Sequence, residues 1–589
     1  MAQYGKTLAG RHQLVTGRAP NQLLRRLSDN EEMLLEVHEL LTNALKANRR
    51  IIPAGEWLLD NFYLIQEQIR MGEKHLPKGY SEDLPRLTNG PSAGLPRVYD
   101  IALEIVSHSD GRVDLPGLSH FLDTYQQINY LKLGELWAIP IMLRLALIEN
   151  LRRLAAQIAV DRINQDLADY WAEQMTEIAE KDPKSLILVI ADMARSGPPM
   201  VSSFVAELTR MLQGKGPALA LPLTWIEQRL SETGQTSNEL VQAEFQKQAA
   251  DQVSMSNSIS SLRFLGTTDW REFVETASIV EQTLRKDTMG TYALMDFTTR
   301  DHYRHIVEKI ARYSPITEPE VADIALRLSK DANPEGTPAD RKGHVGYYLV
   351  GRGRRQLERQ AKMALPYADM LEKLVRRYPL TLYMSAIIFI TLTISGGFFL
   401  RTAGHGIHGW LLAAVGLLSA LCASQLAVSL VNWTIPLFIT PRPLPRLDFS
   451  EGVPPAFRTL IVVPTIFGNE EELEELVEEM EVRFLANRDE GLHFGLLTDF
   501  PDAASEKMPG DETLLILARE KVEGLNVKYG SRGNSRFFLF HRPRRWNPRD
   551  RMWMGYERKR GKLTELNSLL RGEGKEKFSL IIEIGRAHV

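Results

Sequence analysis

The chain has almost no cysteine. A single residue, Cys422, among 589 excludes a disulfide framework and any zinc site built from several thiolates. Charge of one sign is also lacking. The formal net charge is -3, so no overall field directs the protein toward nucleic acid. The first residues, MAQYGKTLAGRHQ, contain no apolar stretch of signal-peptide length. No GxGxxG follows a strand-like run and no GxxxxGK[ST] occurs, which argues against a dinucleotide-binding fold and a P-loop. A chain of this length exceeds one hydrophobic core and should divide into several units.

Long apolar runs, in contrast, are present twice. Residues 379–400 read PLTLYMSAIIFITLTISGGFFL and residues 411–433 read LLAAVGLLSALCASQLAVSLVNW. Neither contains Asp, Glu, Lys or Arg. Roughly 20 residues of helix cross about 30 Å of hydrocarbon, so each run is long enough to span a membrane. The link between them is too short for a domain, and the pair reads as a transmembrane helical hairpin over 379–433. Lys373, Arg376 and Arg377 precede it, Arg442 and Arg446 follow it, and the link carries only Arg401. Positive charge is retained in the cytoplasm, so both large flanks are expected there. Tyr378, Trp410 and Trp433 sit at the span ends, where amphipathic aromatics favour the interface. His405 and His408 read as loop residues of the link.

Before the hairpin the apolar period stays near 3.6. An N-terminal helical segment (1–96) is expected to contain a helix capped by Ser28 or Asp29, with Met33, Leu34, Val37, Leu40, Leu41 and Leu45 on one face. A second helix, Glu56 to Met71, follows the Pro53-Ala54-Gly55 breaker. Residues 97–375 read as an all-α cytoplasmic scaffold, in which Glu135 to Ala159 is the strongest amphipathic helix, with Pro140 near its first turn. Asp301-His302-Tyr303-Arg304-His305 places two histidines three apart, a spacing that suits a metal. No third ligand follows in pattern, and no metal site is assigned there.

Residues 434–457 are a Pro-rich linker, and beyond it the pattern changes. Thr459 to Val463, Leu492 to Leu497, Arg536 to Phe540 and Phe578 to Ile582 read as strands. Asn469 to Asn487, Glu512 to Val522 and Lys562 to Leu570 read as helices, with a capping box at Asn469 and Glu472. This alternation predicts a parallel sheet covered on both faces. Ligands of such sheets bind beyond the carboxyl ends of strands, which singles out Pro464-Thr465 and the run from Thr498 to Asp502. Asp499 has the chemistry to accept hydrogen bonds from a uracil or a ribose. Arg558, Lys559, Arg560 and Lys562 lead into a helix N-terminus, which suits a diphosphate. Arg542, Arg544, Arg545, Arg549 and Arg551, mixed with Trp546 and Trp553, suit anionic lipid. A solvated charged face is the plain alternative.

Several stretches carry a resemblance. Among them are LKLGELWAIPIMLRLALIENLRRLA, SMSNSISSLRFL, DWREFVETASIVEQTLRKD, MDFTTRDHYRHIVEKIA, GHVGYYLVGRGRRQLE, LIVVPTIFGNEEELEELVEEMEVRFLANRD, LLTDFPDA and MGYERKRGKLTELNSLLRG. The chain resembles the cyclic β-1,2-glucan synthases, the membrane synthases of glycosyltransferase family 84. The resemblance implies a multi-pass protein of the bacterial inner membrane with a GT-A-like, Rossmann-like α/β domain on the cytosolic side. It implies UDP-glucose as donor, initiation on the protein itself, elongation of a growing β-1,2-glucan chain, and cyclisation. By the same resemblance Pro464, Thr465, Asp499, Lys562 and Asn567 belong to the nucleotide-sugar site. Substituting Asp499 is then expected to weaken UDP binding without unfolding the domain.

The family's Asp-x-Asp motif, catalytic base and Gln-x-x-Arg-Trp motif are expected after Ile582. No catalytic residue or metal ligand is therefore assigned within the chain, although Mg2+ or Mn2+ is expected for the full enzyme. The expectation is an N-terminal part of the synthase whose transferase domain (458–583) is truncated and inactive alone. Residues 584–589, IGRAHV, match a translated sequencing adapter. Two alternatives stand beside this reading: a related membrane β-glycan synthase of another linkage, and a non-catalytic membrane-anchored nucleotide-binding scaffold.

Overall fold

The computed structural model describes residues 2–15, 22–76, 84–334, 340–364, 370, 377–438, 444–530 and 535–582. Lys373, Arg376, Arg442 and residues 584–589 lie outside them. The chain falls into two compact units, Met1–Leu444 and Pro445–Val589.

Among its described residues the first unit is helical apart from one two-residue strand pair, Leu14–Val15 with Arg86–Leu87. Its central element is the helix Leu133–Lys181, 49 residues long. At 1.5 Å per residue it extends about 70 Å. That is twice the stretch expected from Glu135 to Ala159, because buried Asp161, Arg162, Gln165, Ala168, Ala172 and Met175 continue the inward face. Pro140 lies inside the helix rather than at its first turn. One apolar core joins buried residues between Leu8 and Ile158, across residue 96, to others between Met255 and Ala277; Ala168 to Leu230 supply a second core.

Two helix boundaries differ from expectation. Ser28 and Asp29 do not cap a helix; they lie within Gln22–Lys46, whose buried row begins upstream at Leu23 and Leu27. Packing of those leucines outweighs the local capping preference. The expected helix Glu56 to Met71 is two helices, Pro53–Asp60 and Phe62–His75, separated at Asn61.

The two apolar runs form helices, Pro379–Gly404 and Trp410–Leu437, and only 6% and 11% of their most apolar windows are buried. That exposure sets them apart from the core helices of a soluble protein, and they are long and apolar enough to cross a membrane. Ala423, Ala427 and Val431 of the second helix and Ser395 of the first are buried; the alanines and the serine are small enough to let helices approach closely. Tyr383 donates a hydrogen bond to Asn432 across the pair at 3.1 Å.

The second unit contains β1 (Thr459–Ile466), α1 (Glu470–Ala486), β2 (Leu492–Asp499), α2 (Asp511–Tyr529) and β3 (Phe537–Arg542). These are followed by the hairpin β4 (Arg545–Asn547) and β5 (Met552–Met554), then α3 (Arg558–Leu570) and β6 (Leu580–Ile581). The main sheet has the order β1-β2-β3-β6. The first three strands are parallel, but β6 runs antiparallel to β3. The sheet is thus mixed, not wholly parallel. The hairpin was not anticipated, since its charge density hid the short alternating pattern.

Side chains alternate across this sheet as the period of two requires. Ile461, Val463, Phe494, Leu496, Phe537 and Leu539 face α1 and α2. Leu460, Val462, Leu497, Phe538 and Phe540 face the opposite way, against Leu566 of α3. Both faces are covered, which explains the near-continuous apolar strands. At the start of α1, the Asn469 side chain accepts from the Glu472 amide at 2.8 Å. The Glu472 carboxylate in turn accepts from the amide of Gly468, also at 2.8 Å, so the expected box closes one residue earlier.

Candidate functional site

Three parallel strands end together, and their register places two rows of residues at the carboxyl edge. Thr465, Thr498 and His541 form one row; Ile466, Asp499 and Arg542 form the next. Adjacent rows point to opposite faces. The first row faces Phe467 and Phe500 under α1 and α2, and the second faces α3.

On the α3 side the second row closes into a buried ion cluster. Asp499 is 2% exposed. Its oxygens accept from Arg542 Nε at 2.8 Å and Nη2 at 2.9 Å, and Lys562 Nζ lies 3.0 Å away. Lys562 also donates to the backbone carbonyl of Thr465 at 2.7 Å. The remaining arm of Arg542 reaches Glu565 at 2.8 Å, which Arg545 approaches at 3.2 Å from the other side. Burial works against the Arg542 charge, but its bonds to Asp499 and Glu565 outweigh that and hold its pKa above the ordinary arginine value. For Lys562 burial prevails and lowers the pKa, although Asp499 pulls it upward.

Backbone shape allows this closure. A Cβ on Gly555 would stand 2.4 Å from an Asp499 carboxylate oxygen, and one on Gly561 would stand 2.3 Å from the Tyr556 carbonyl. Between these glycines, Glu557 and Arg558 hold φ of 54° and 44°. Two consecutive left-handed residues without glycine are strained, a condition that concentrates at functional turns.

On the other face His541 is fully buried, with its Nδ1 2.8 Å from the Thr498 hydroxyl. Burial pushes its pKa down to about 4, so the ring is neutral at physiological pH. Its Nε2 has no hydrogen-bond partner among the described residues. Arg544 crosses the Phe500 ring at 4.8 Å and donates to the Pro501 carbonyl at 2.6 Å and to Asp511 at 2.5 Å.

The expected site residues are therefore only partly brought together. Asp499 and Lys562 meet directly. Pro464 and Thr465 lie within β1 rather than after it, in register with Leu497 and Thr498. Pro464 is tolerated there because β1 is an edge of the described sheet. Thr465 contributes its carbonyl, while its side chain belongs to the row opposite Asp499. Asn567 is exposed on α3; five residues beyond Lys562, it lies about 140° around the helix and is not part of the cluster. Glu565, His541 and Gly555 were not singled out from sequence, and Arg542 stood out only as one charge of the basic run. The available signal was the pairing of two strands, one ending on Asp499 and the other on Arg542.

The basic segment divides accordingly. Arg542 and Arg544 are 3% and 5% exposed and are consumed by internal carboxylates, so they are not free for lipid. Lys559 and Arg560 remain exposed in the first turn of α3, which has no acidic residue and no side-chain cap. Helices α1 and α2 begin instead with Glu470, Glu471 and Glu472, and with Asp511 and Glu512. The start of α3 is thus the helix terminus at which both dipole and side chains attract an anion. A divalent cation does not fit this cluster. The Asp499 oxygens are already held by two cations, and no group of three or more His, Cys, Asp or Glu that could hold a metal occurs among the described residues.

In the helical unit, His305 lies between Asp301 at 3.4 Å and Glu308 at 3.0 Å. Hydrogen bonds to these carboxylates raise its pKa to about 9. A protonated imidazole is an ion-pair partner and no metal ligand. The neighbouring motif residues are structural: Arg300 and Arg304 bridge Glu275 and Glu281 in a buried network. Tyr292 adds a bond to Glu281 at 2.6 Å.

No family model matches the chain. It is 32% identical over 561 residues to the cyclic beta-(1,2)-glucan synthase NdvB of Rhizobium meliloti (strain 1021), a match that covers 95% of the chain and 20% of that protein. The chain thus spans about a fifth of its relative's length. The family indicated by the sequence motifs is the family found: over nearly its whole length, this chain is a relative of the cyclic β-1,2-glucan synthases.

Proposed function

We propose that the protein containing this chain is a membrane glucosyltransferase that uses UDP-glucose to initiate, elongate and cyclise β-1,2-glucan. The observation that carries the reading is the 95% coverage of the chain by its match to a cyclic glucan synthase. The second unit supports it, with a cation-rich helix start beside Asp499 at the carboxyl ends of parallel strands, where α/β proteins bind ligands. In this reading the unit is part of a GT-A-like domain. Lys559, Arg560 and Lys562 face the diphosphate, and Asp499 holds Lys562 and Arg542 in place while its remaining acceptor site meets the uridine. The Mg2+ or Mn2+ of the full enzyme belongs to ligands outside the described residues. The hairpin anchors the protein in the bacterial inner membrane with both large flanks cytoplasmic.

The closure of Asp499 by two cations favours one rival, a non-catalytic membrane-anchored nucleotide-binding scaffold. Membranes carrying the full-length protein, supplied with UDP-[14C]glucose, distinguish the two. The synthase reading expects label in a product that linkage analysis identifies as cyclic and β-1,2-linked. Absence of transfer refutes it in favour of the scaffold, and another linkage refutes it in favour of a related glycan synthase. Calorimetry of UDP with the chain tests the nucleotide site separately.

A further inference from the structure

We propose that Trp546, Trp553 and Tyr556 form a stacking wall for the pyranose rings of a β-linked glucan chain, at the border of the Asp499 cluster. The proposal rests on the glucosyltransferase reading above and assigns its polymer-binding surface. Trp546 and Trp553 are directly opposite each other in the β4–β5 register, with ring centroids 5.9 Å apart and planes at 60°. Trp546 is 47% exposed and Tyr556 is 48% exposed. Large aromatics left half in solvent, within a segment otherwise dominated by arginine, offer apolar faces that the fold itself does not use.

Their position is fixed by the strand ends. Trp553 exchanges two backbone hydrogen bonds of 2.9 Å with Ala503, in the loop that follows β2. Two residues further on, Gly555 packs against the Asp499 carboxylate. Trp553 therefore lies within about 7 Å, along the chain, of the residue that touches the cluster. Arg542 donates to the Tyr556 carbonyl at 3.3 Å, which ties the third aromatic to the same charged group. All three aromatic residues thus sit on backbone that adjoins the strand ends and the Asp499 cluster.

The chemistry matches a neutral sugar chain. A β-glucopyranose ring presents C–H groups on its flat faces, which stack on indole, and hydroxyls around its rim, which need polar partners. Arg549 and Arg551 are exposed beside the indoles and have no ion pair among the described residues. A lipid-inserting hairpin would carry its apolar side chains at the tip. Here the tip is Pro548-Arg549-Asp550-Arg551, closed by a 2.7 Å bond from Asn547 to Asp550, and the indoles sit on the strands.

The test uses the full chain in detergent, titrated with a linear β-1,2-glucooligosaccharide and, separately, with UDP. Trp546→Ala should weaken oligosaccharide binding at least tenfold, and Trp546→Phe should keep it within threefold. UDP affinity should be equal in all three proteins. Because Trp546 is half exposed, neither substitution should disturb folding. Equal oligosaccharide affinity in Trp546→Ala overturns the proposal, as does absence of oligosaccharide binding by the unaltered chain. In nanodiscs with brominated lipid, quenching that disappears in Trp546→Phe would place this indole in the bilayer and also overturn it. If UDP fails to bind while the oligosaccharide arm behaves as expected, the nucleotide reading fails and the stacking wall stands.

Discussion

Replacing Asp499 by Asn preserves the shape of the side chain and removes its charge. The carboxylate meets three donors, Nε and Nη2 of Arg542 and Nζ of Lys562. Asparagine offers one oxygen and turns its amide toward donors that it cannot satisfy. The side chains of Asp499, Arg542 and Lys562 are only 3–4% exposed, so water does not compensate. Removing one partner of such a buried pair costs about 3–5 kcal/mol. At the lower end, opening of the sheet should become about 150-fold more frequent.

Hydrogen exchange of the full chain reads this directly, on peptides covering β2 and β3. The double substitution Asp499→Asn with Arg542→Gln removes one charge of each sign, and leaves Lys562 on the Thr465 carbonyl and Glu565 paired with Arg545. Its cost should fall short of the summed single costs by at least about 2 kcal/mol. UDP affinity and stability should drop together in the single variant, contrary to the expectation from sequence that Asp499 serves the ligand alone. Unchanged exchange across β2 and β3 together with weakened UDP binding would refute the structural argument and restore that expectation.

Gly555→Ala should destabilise the second unit by about 1–3 kcal/mol, because its Cβ has nowhere to go but the short, locked Asp499 side chain; thermal unfolding checks it. Glu318, 4% exposed, has its pKa raised to about 7, mainly by burial, although the Leu133 amide donates to it. The folded state therefore keeps a proton that the unfolded state loses, and stability should decline as pH rises from about 4.5 to about 7. Glu318→Gln should remove that slope and exceed the unaltered protein by about 3 kcal/mol above pH 7, with little difference below pH 4.5; denaturant melts across pH measure both. Cys422, exposed on the second apolar helix, should resist a membrane-impermeant maleimide in sealed vesicles and react once detergent is added. Rapid labelling without detergent would contradict a membrane span.

Sequence alone determined the elements whose cause is local. Two uncharged apolar runs could only be long apolar helices, since length and composition decide that property. The α/β alternation after residue 458 and the family kinship were legible for the same reason: each rests on residues read one after another. Tertiary structure decided what those residues do. Arg542 looked like one charge in a basic run until the register set it opposite Asp499. Asn567 looked like a neighbour of Lys562 until helical rotation carried it to the exposed side. Thr465 and Asp499 appeared as members of one site, yet the two-residue period of the strands turns their side chains to opposite faces. The antiparallel direction of β6 likewise has no sequence signature, because apolar content does not encode strand direction. Electrostatic partnership and facing depend on distance and direction in space, and neither can be read from spacing along a chain.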